Sequence, residues 1–77
     1  DFIQARINLG GVLRIQEKLG ASESSFRRAL HLQPNSAIVL TSLASVLNDM
    51  SEPESAKEYC QRALVIEPEN CEALLTL

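Results

Sequence analysis

The chain nearly repeats itself at a fixed offset, and no other feature limits its possible folds as much. The stretch Arg28-Ala29-Leu30-His31-Leu32-Gln33-Pro34 returns as Arg62-Ala63-Leu64-Val65-Ile66-Glu67-Pro68. Upstream, Leu9-x-x-Val12-Leu13 returns as Leu43-x-x-Val46-Leu47, at the same offset. Laying residues 3–36 on 37–70 gives seven identities, where average composition would give about two or three. They fall at apolar and turn positions, so they report shared packing. A period of this size marks stacked supersecondary units that bury a continuous core between neighbours and present extended surfaces. That architecture points to binding and away from catalysis.

Composition fits such a chain. In 77 residues, 45% are hydrophobic and 22% charged, the balance of a folded chain of one small domain. Phe2, Phe26 and Tyr59 are the three aromatics, so Leu, Val, Ile and Ala must build the core. A net charge of −3 argues against binding a phosphate backbone, which requires a basic face. Apolar runs such as Ala37-Ile38-Val39-Leu40 are far too short to span a bilayer, so no membrane insertion is expected. Cys60 and Cys71 lack Cys-x-x-Cys spacing, and one histidine is too few to complete a zinc site with them. They read as reduced, partly buried thiols, and a disulfide between them would be unexpected in the cytosol.

Apolar residues recur at helical spacing throughout and no stretch alternates like a strand, so the fold class is all-α. Breakers divide the chain into helices at about 3–16, 20–32 and 37–49, a fourth ending before Pro68, and a fifth that Asn70 begins. Asn35 or Ser36 caps the third. Ser51 and Glu54 have the spacing of a capping box for the fourth, with Pro53 in its first turn. Glu23 with Arg27 and Glu58 with Arg62 are i,i+4 pairs in the favourable order, worth about 0.2–0.5 kcal/mol each. His31 in a last turn reads as a solvated side chain. Small residues at Gly10, Ala29, Ala44, Ala56 and Ala63 allow close approach of helix backbones. Gly10 therefore has a packing reason. Gly11, which costs about 1 kcal/mol against Ala in a helix, either marks a close approach to the backbone or is simply tolerated.

Helix–turn–helix units of this period, closing on Ala-Leu-x-(apolar)-x-Pro, resemble the tetratricopeptide repeat. The matching residues are Leu9-Gly10, Leu13, Phe26, Ala29-Leu30 and Pro34 in one unit. In the next they are Leu43-Ala44, Leu47, Ala56, Ala63-Leu64 and Pro68, and Leu74 and Leu77 start a third. Arg6 and Leu40 stand in the family's Trp slot, Ser22 replaces a small Ala, and Cys60 replaces an aromatic. The resemblance implies an alpha-alpha superhelix, a right-handed stack of antiparallel helix pairs over 1–77, with units at about 3–36 and 37–70 and a partial unit at 71–77. The chain starts at Asp1 and stops inside an apolar pattern, so it reads as a piece of a longer array. Two units fall short of the three usually needed, so marginal stability or self-association through the open ends is expected in isolation.

The resemblance also implies that the first helix of each unit lines a concave groove for a peptide or partner helix. On the matching positions the groove would show Gln4, Ile7, Asn8, Gly11, Arg14 and Ile15, then Ile38, Thr41, Ser42, Ser45, Asn48 and Asp49, then Glu72, Leu75 and Thr76. A carboxylate clamp of the chaperone-tail kind would need cations where Glu72 and Thr76 stand, so these units do not fit it. Asn8, Ser42 and Thr76 follow one another at the repeat period and would stack as a polar ladder able to hydrogen-bond an extended backbone. They read equally as ordinary polar groups on a solvated face.

The expected role is therefore a protein–protein interaction module, a scaffold or adaptor, with no cofactor, no metal, no nucleic acid and no catalytic constellation, in the cytoplasm. Two alternatives stay open: a substrate-recruiting segment of a larger modifying enzyme, and an RNA-binding helical repeat.

Overall fold

The computed structural model describes residues 2–68. Its elements are four helices: α1 (Phe2–Ile15), α2 (Leu19–Leu32), α3 (Ala37–Asp49) and α4 (Pro53–Ile66). Advancing α2 by one repeat period reproduces the bounds of α4, and α1 lands within one residue of α3. The fifth helix and the third unit expected from the sequence lie outside the described residues, as does Cys71.

The turns repeat as well. Glu17 and Ser51, equivalent positions of the two units, both sit at φ 63°, in the left-handed region. Around them the Glu17 N–H donates to the Arg14 carbonyl (2.9 Å) and Lys18 N–H to the Leu13 carbonyl (2.8 Å). In the second unit Ser51 donates to Asn48 (3.1 Å) and Glu52 to Leu47 (2.9 Å). This is the Schellman arrangement, which satisfies the free carbonyls at a helix end. A left-handed residue is required here, and neither unit supplies glycine.

This turn overturns the expected capping box. Ser51 is consumed as the left-handed residue that ends α3. Glu52 is the N-cap of α4, and no side chain caps it. Pro53 does occupy the first turn, where its missing N–H costs nothing. At α3 the choice between two caps falls to Ser36, whose hydroxyl accepts from the Val39 N–H at 3.4 Å. Of the two surface pairs, Glu23 accepts from both Nε and Nη2 of Arg27, at 2.9 and 2.7 Å. Arg62 does not reach Glu58; it lies over the Tyr59 ring, 5.4 Å from the centroid.

Packing follows sequence order: α1 against α2, α2 against α3 and α3 against α4. The core contains Ala37, Leu40, Leu43, Ala44, Val46, Leu47, Ala56, Cys60 and Ala63 from the second unit, with Phe26 from the first. The Leu, Val and Phe side chains among them contribute about 1.5–3 kcal/mol each when fully buried. The two hairpins fill equivalent space with different volumes. A Cβ on Gly10 would lie 2.8 Å from two carbons of the Phe26 ring. Ala44 and Cys60 occupy the corresponding places in the second unit, both fully buried. Gly with Phe in one hairpin thus does the work of Ala with Cys in the other. Ser22, at the place of Ala56, is fully buried and donates its hydroxyl to the Gly10 carbonyl at 2.7 Å, so the extra polar group is satisfied.

Tyr59 ties the units together on the outer side. The Arg27 guanidinium donates to its hydroxyl at 3.0 Å and lies 5.8 Å from its ring centroid. The Glu23 hydrogen bond raises the Arg27 pKa above the ordinary guanidinium value, Tyr59 adds to this, and partial burial opposes it.

Candidate functional site

α1 and α3 run along the same side of the molecule, and the residues expected to line a groove come from them. Ile7, Gly11, Arg14 and Ile15 follow i, i+4, i+7, i+8 spacing, so they share a face of α1. With Phe26 from α2 and Ser42 from α3 they line a hollow of about 340 Å³. Its depth has a local cause. A Cβ placed on Gly11 would meet nothing within 4 Å, so the missing side chain leaves the backbone open to whatever enters.

The walls combine apolar and polar groups. Ile15 is 83% exposed. Ile38, 63% exposed, does not line this hollow; it lies in a separate depression with Leu32, Pro34 and Ile66. At the end of α1, Arg14 Nε donates to Asp49 Oδ2 at 2.6 Å, with both side chains more than a third open to solvent. This ion pair joins the two units across the groove. Its contribution to stability is small, of the order of 0–1 kcal/mol; its effect is to hold the guanidinium at the rim.

Asn8 is exposed and Ser42 half-buried. The Asn8 carbonyl oxygen accepts from Gln4 Nε2 at 3.0 Å, so Gln4 orients the amide and leaves its NH₂ available as a donor. Ser45 is half-buried and Asn48 exposed. Glu72, Leu75 and Thr76, the last being the third rung of the ladder, lie outside the described residues.

Thr41 does not belong to the groove. It is 2% exposed, and its hydroxyl donates back to the Ala37 and Ile38 carbonyls, both at 3.0 Å. A threonine inside a helix can satisfy itself in this way, so a polar residue in a groove register need not face the groove. Two features of the site are not visible in the sequence reading. The pairing of Arg14 with Asp49 spans 35 residues and depends on how the hairpins are stacked. Phe26, which the sequence marks as a packing residue, also lines the hollow from α2. The repeat period makes Ile15 and Asp49 equivalent positions, and that equivalence is the available hint that the two helix ends lie near each other.

The arrangement provides an open apolar depression with hydrogen-bonding groups beside it. Among the described residues no group of three His, Cys, Asp or Glu side chains could hold a metal ion, and no helix is long and apolar enough to cross a membrane.

Comparison with known proteins fits this geometry. Residues 37–70 match the model of the tetratricopeptide repeat, the same span as the second unit. The chain is also similar to a cell division cycle protein 27 homolog B from Arabidopsis thaliana, 34% identical over 62 residues. That alignment covers 80% of this chain and 8% of the relative, so the chain spans a small part of that protein's length.

Proposed function

The chain belongs to the tetratricopeptide-repeat family, whose repeats generally mediate contacts between proteins, and from that premise we propose that its concave groove holds an extended peptide. The observation that carries this reading is the hollow over Gly11, bounded by Ile7, Ile15, Phe26, Arg14 and Ser42. It accepts an apolar side chain of the bound segment. The oriented amide of Asn8 and the hydroxyl of Ser42 lie on the same helices and hydrogen-bond the peptide backbone without reading its sequence. Main-chain contacts supply affinity, and the depression over Gly11 supplies preference.

A displayed peptide library selected on the folded chain tests this, with binding mapped by amide chemical shifts. Shifts centred on Asn8, Gly11 and Ser42, and loss of binding in Gly11→Leu, are expected. The Leu side chain would occupy the hollow while favouring the helix, so lost binding would not reflect lost folding. Ligands that map to the outer face, or bind Gly11→Leu unchanged, would remove the proposal.

A further inference from the structure

α2 carries a row of polar side chains at i, i+3, i+4 and i+7 spacing: Ser24, Arg27, Arg28 and His31. All four are exposed. With Leu32, and with Arg6 from α1, they line a hollow of about 350 Å³. Arg27 is committed elsewhere: its Nε and Nη2 donate to Glu23 and its Nη1 to the Tyr59 hydroxyl. That pairing also neutralises Glu23. Arg6, Arg28 and His31 have no ion pair among the described residues. The Arg6 Nε is buried and has no hydrogen-bond partner, an unmet donor of a kind that folded proteins rarely leave.

The outward wall of this hollow does not depend on which units flank it. One repeat period on, its four polar residues become Glu58, Gln61, Arg62 and Val65 on α4, and these are exposed too. α2 has a unit stacked after it, and α4 has one stacked before it. A position open in both helices lies on the outer surface of the stack, where neither neighbour reaches. Stacking covers only the Arg6 position, since its equivalent Leu40 is fully buried. The second unit cannot build the same site, because Leu40, Glu58 and Val65 stand in place of Arg6, Ser24 and His31. Charge is distributed to match. Residues 1–36 carry five Lys and Arg against three Asp and Glu, or +2, and residues 37–77 carry two against seven, or −5. A nucleic-acid strand, with its run of phosphates, would meet the acidic second unit. A single anionic group meets only the hollow.

We propose that this hollow binds a phosphorylated serine or threonine side chain of a protein partner. Such a group carries a charge of about −1.5 to −2 and three strong acceptor oxygens. The two guanidiniums without an ion pair, Arg6 and Arg28, supply the matching charge and the forked donors that phosphate accepts bidentately. His31 and the Ser24 hydroxyl add further donors. A carboxylate would offset only one of the two cations. Leu32, 52% exposed at the edge of the hollow, takes an apolar residue next to the phosphorylated one. The site shares no residue with the hollow over Gly11 and does not depend on the reading given to the groove.

Three short fluorescein-labelled peptides test it, alike except at a central residue beside a Leu, which is phosphoserine, Glu or Ser. Fluorescence anisotropy with the full chain should show the phosphoserine peptide binding about tenfold tighter than the Ser peptide, with the Glu peptide between them. Arg6→Leu, which copies the residue of the second unit, should remove most of that preference. Arg28→Gln, at an exposed position, should do the same without any change in folding. Amide shifts on binding should centre on Ser24, Arg28 and His31. A labelled single-stranded RNA of similar length should bind more weakly than the phosphoserine peptide. Equal affinity for the three peptides, binding of none, a preference that survives both variants, shifts centred on Asn8 and Gly11, or tighter binding of the RNA would each overturn the proposal.

Discussion

The neighbouring glycines of α1 should respond differently to the same substitution. Replacing Gly by Ala inside a helix gains about 1 kcal/mol from backbone entropy and propensity. At Gly11 nothing lies within 4 Å of the new Cβ, so the gain should appear in full. At Gly10 the Cβ would stand 2.8 Å from two ring carbons of Phe26 and 3.0 Å from a third. Carbon atoms prefer about 3.5–4.0 Å. Phe26 is 3% exposed, so either the ring shifts toward the hollow it lines or the two helices separate. Overpacking of this kind costs about 1–3 kcal/mol. Gly10→Ala should therefore be neutral to about 2 kcal/mol destabilising, leaving the two variants about 1–3 kcal/mol apart. For a chain of this size each kcal/mol moves Tm by about 4–8 °C, so thermal unfolding followed by far-UV circular dichroism resolves the difference. A double-mutant cycle makes the cause specific. On the Phe26→Cys background, which rebuilds the pairing of Ala44 with Cys60, Gly10→Ala should become stabilising. If Gly10→Ala proved as stable as Gly11→Ala, or if its cost persisted with Phe26→Cys, the account of compensating volumes would be wrong.

Glu17→Gly and Ser51→Gly should each raise stability by about 0.5–1 kcal/mol, because both residues hold a left-handed conformation at φ 63° that disfavours a Cβ; a lowered urea midpoint would contradict this. Ser36→Ala removes the side-chain cap of α3, which neither α2 nor α4 has, and at 3.4 Å the bond is long, so a loss near the low end of the ~0.5–2 kcal/mol range is expected. A loss of nothing in a denaturant titration would mean that water caps α3 as well. Asn8→Ala should weaken binding of a groove peptide without lowering Tm, since Asn8 is exposed, its partner is the equally exposed Gln4, and Ala favours the helix. Affinity that does not change would leave the polar ladder without a role.

Much of the architecture was readable from the residues because repeat packing is local. The period, the spacing of apolar positions, and the breaks at Pro34 and Pro68 are properties of short segments, and each helix obeys them before meeting its neighbours. The bounds of α3 match the expectation outright, and those of α1 and α2 agree within one residue. The capping box at Ser51 and Glu54 failed for an equally local reason: the same serine was required by the turn before α4, and one residue cannot serve both. The groove was less legible. The family resemblance placed Gln4, Ile7, Asn8, Gly11, Arg14 and Ile15 in the groove, but matching positions could not show that Thr41 turns its hydroxyl back to its own helix.

Residue order decided that this chain forms successive helical hairpins of one length, since propensity, capping and apolar spacing act within a few turns. Stacking decided everything that depends on two hairpins at once: the joining of Arg14 to Asp49, the Arg27 bond to Tyr59, and the hollow that Gly11 leaves beside Phe26. It also separated Leu9 from Leu43, identical residues in equivalent helices, one half-exposed and the other buried. Side-chain chemistry is carried by the residue, but burial and pairing belong to the neighbour that covers it.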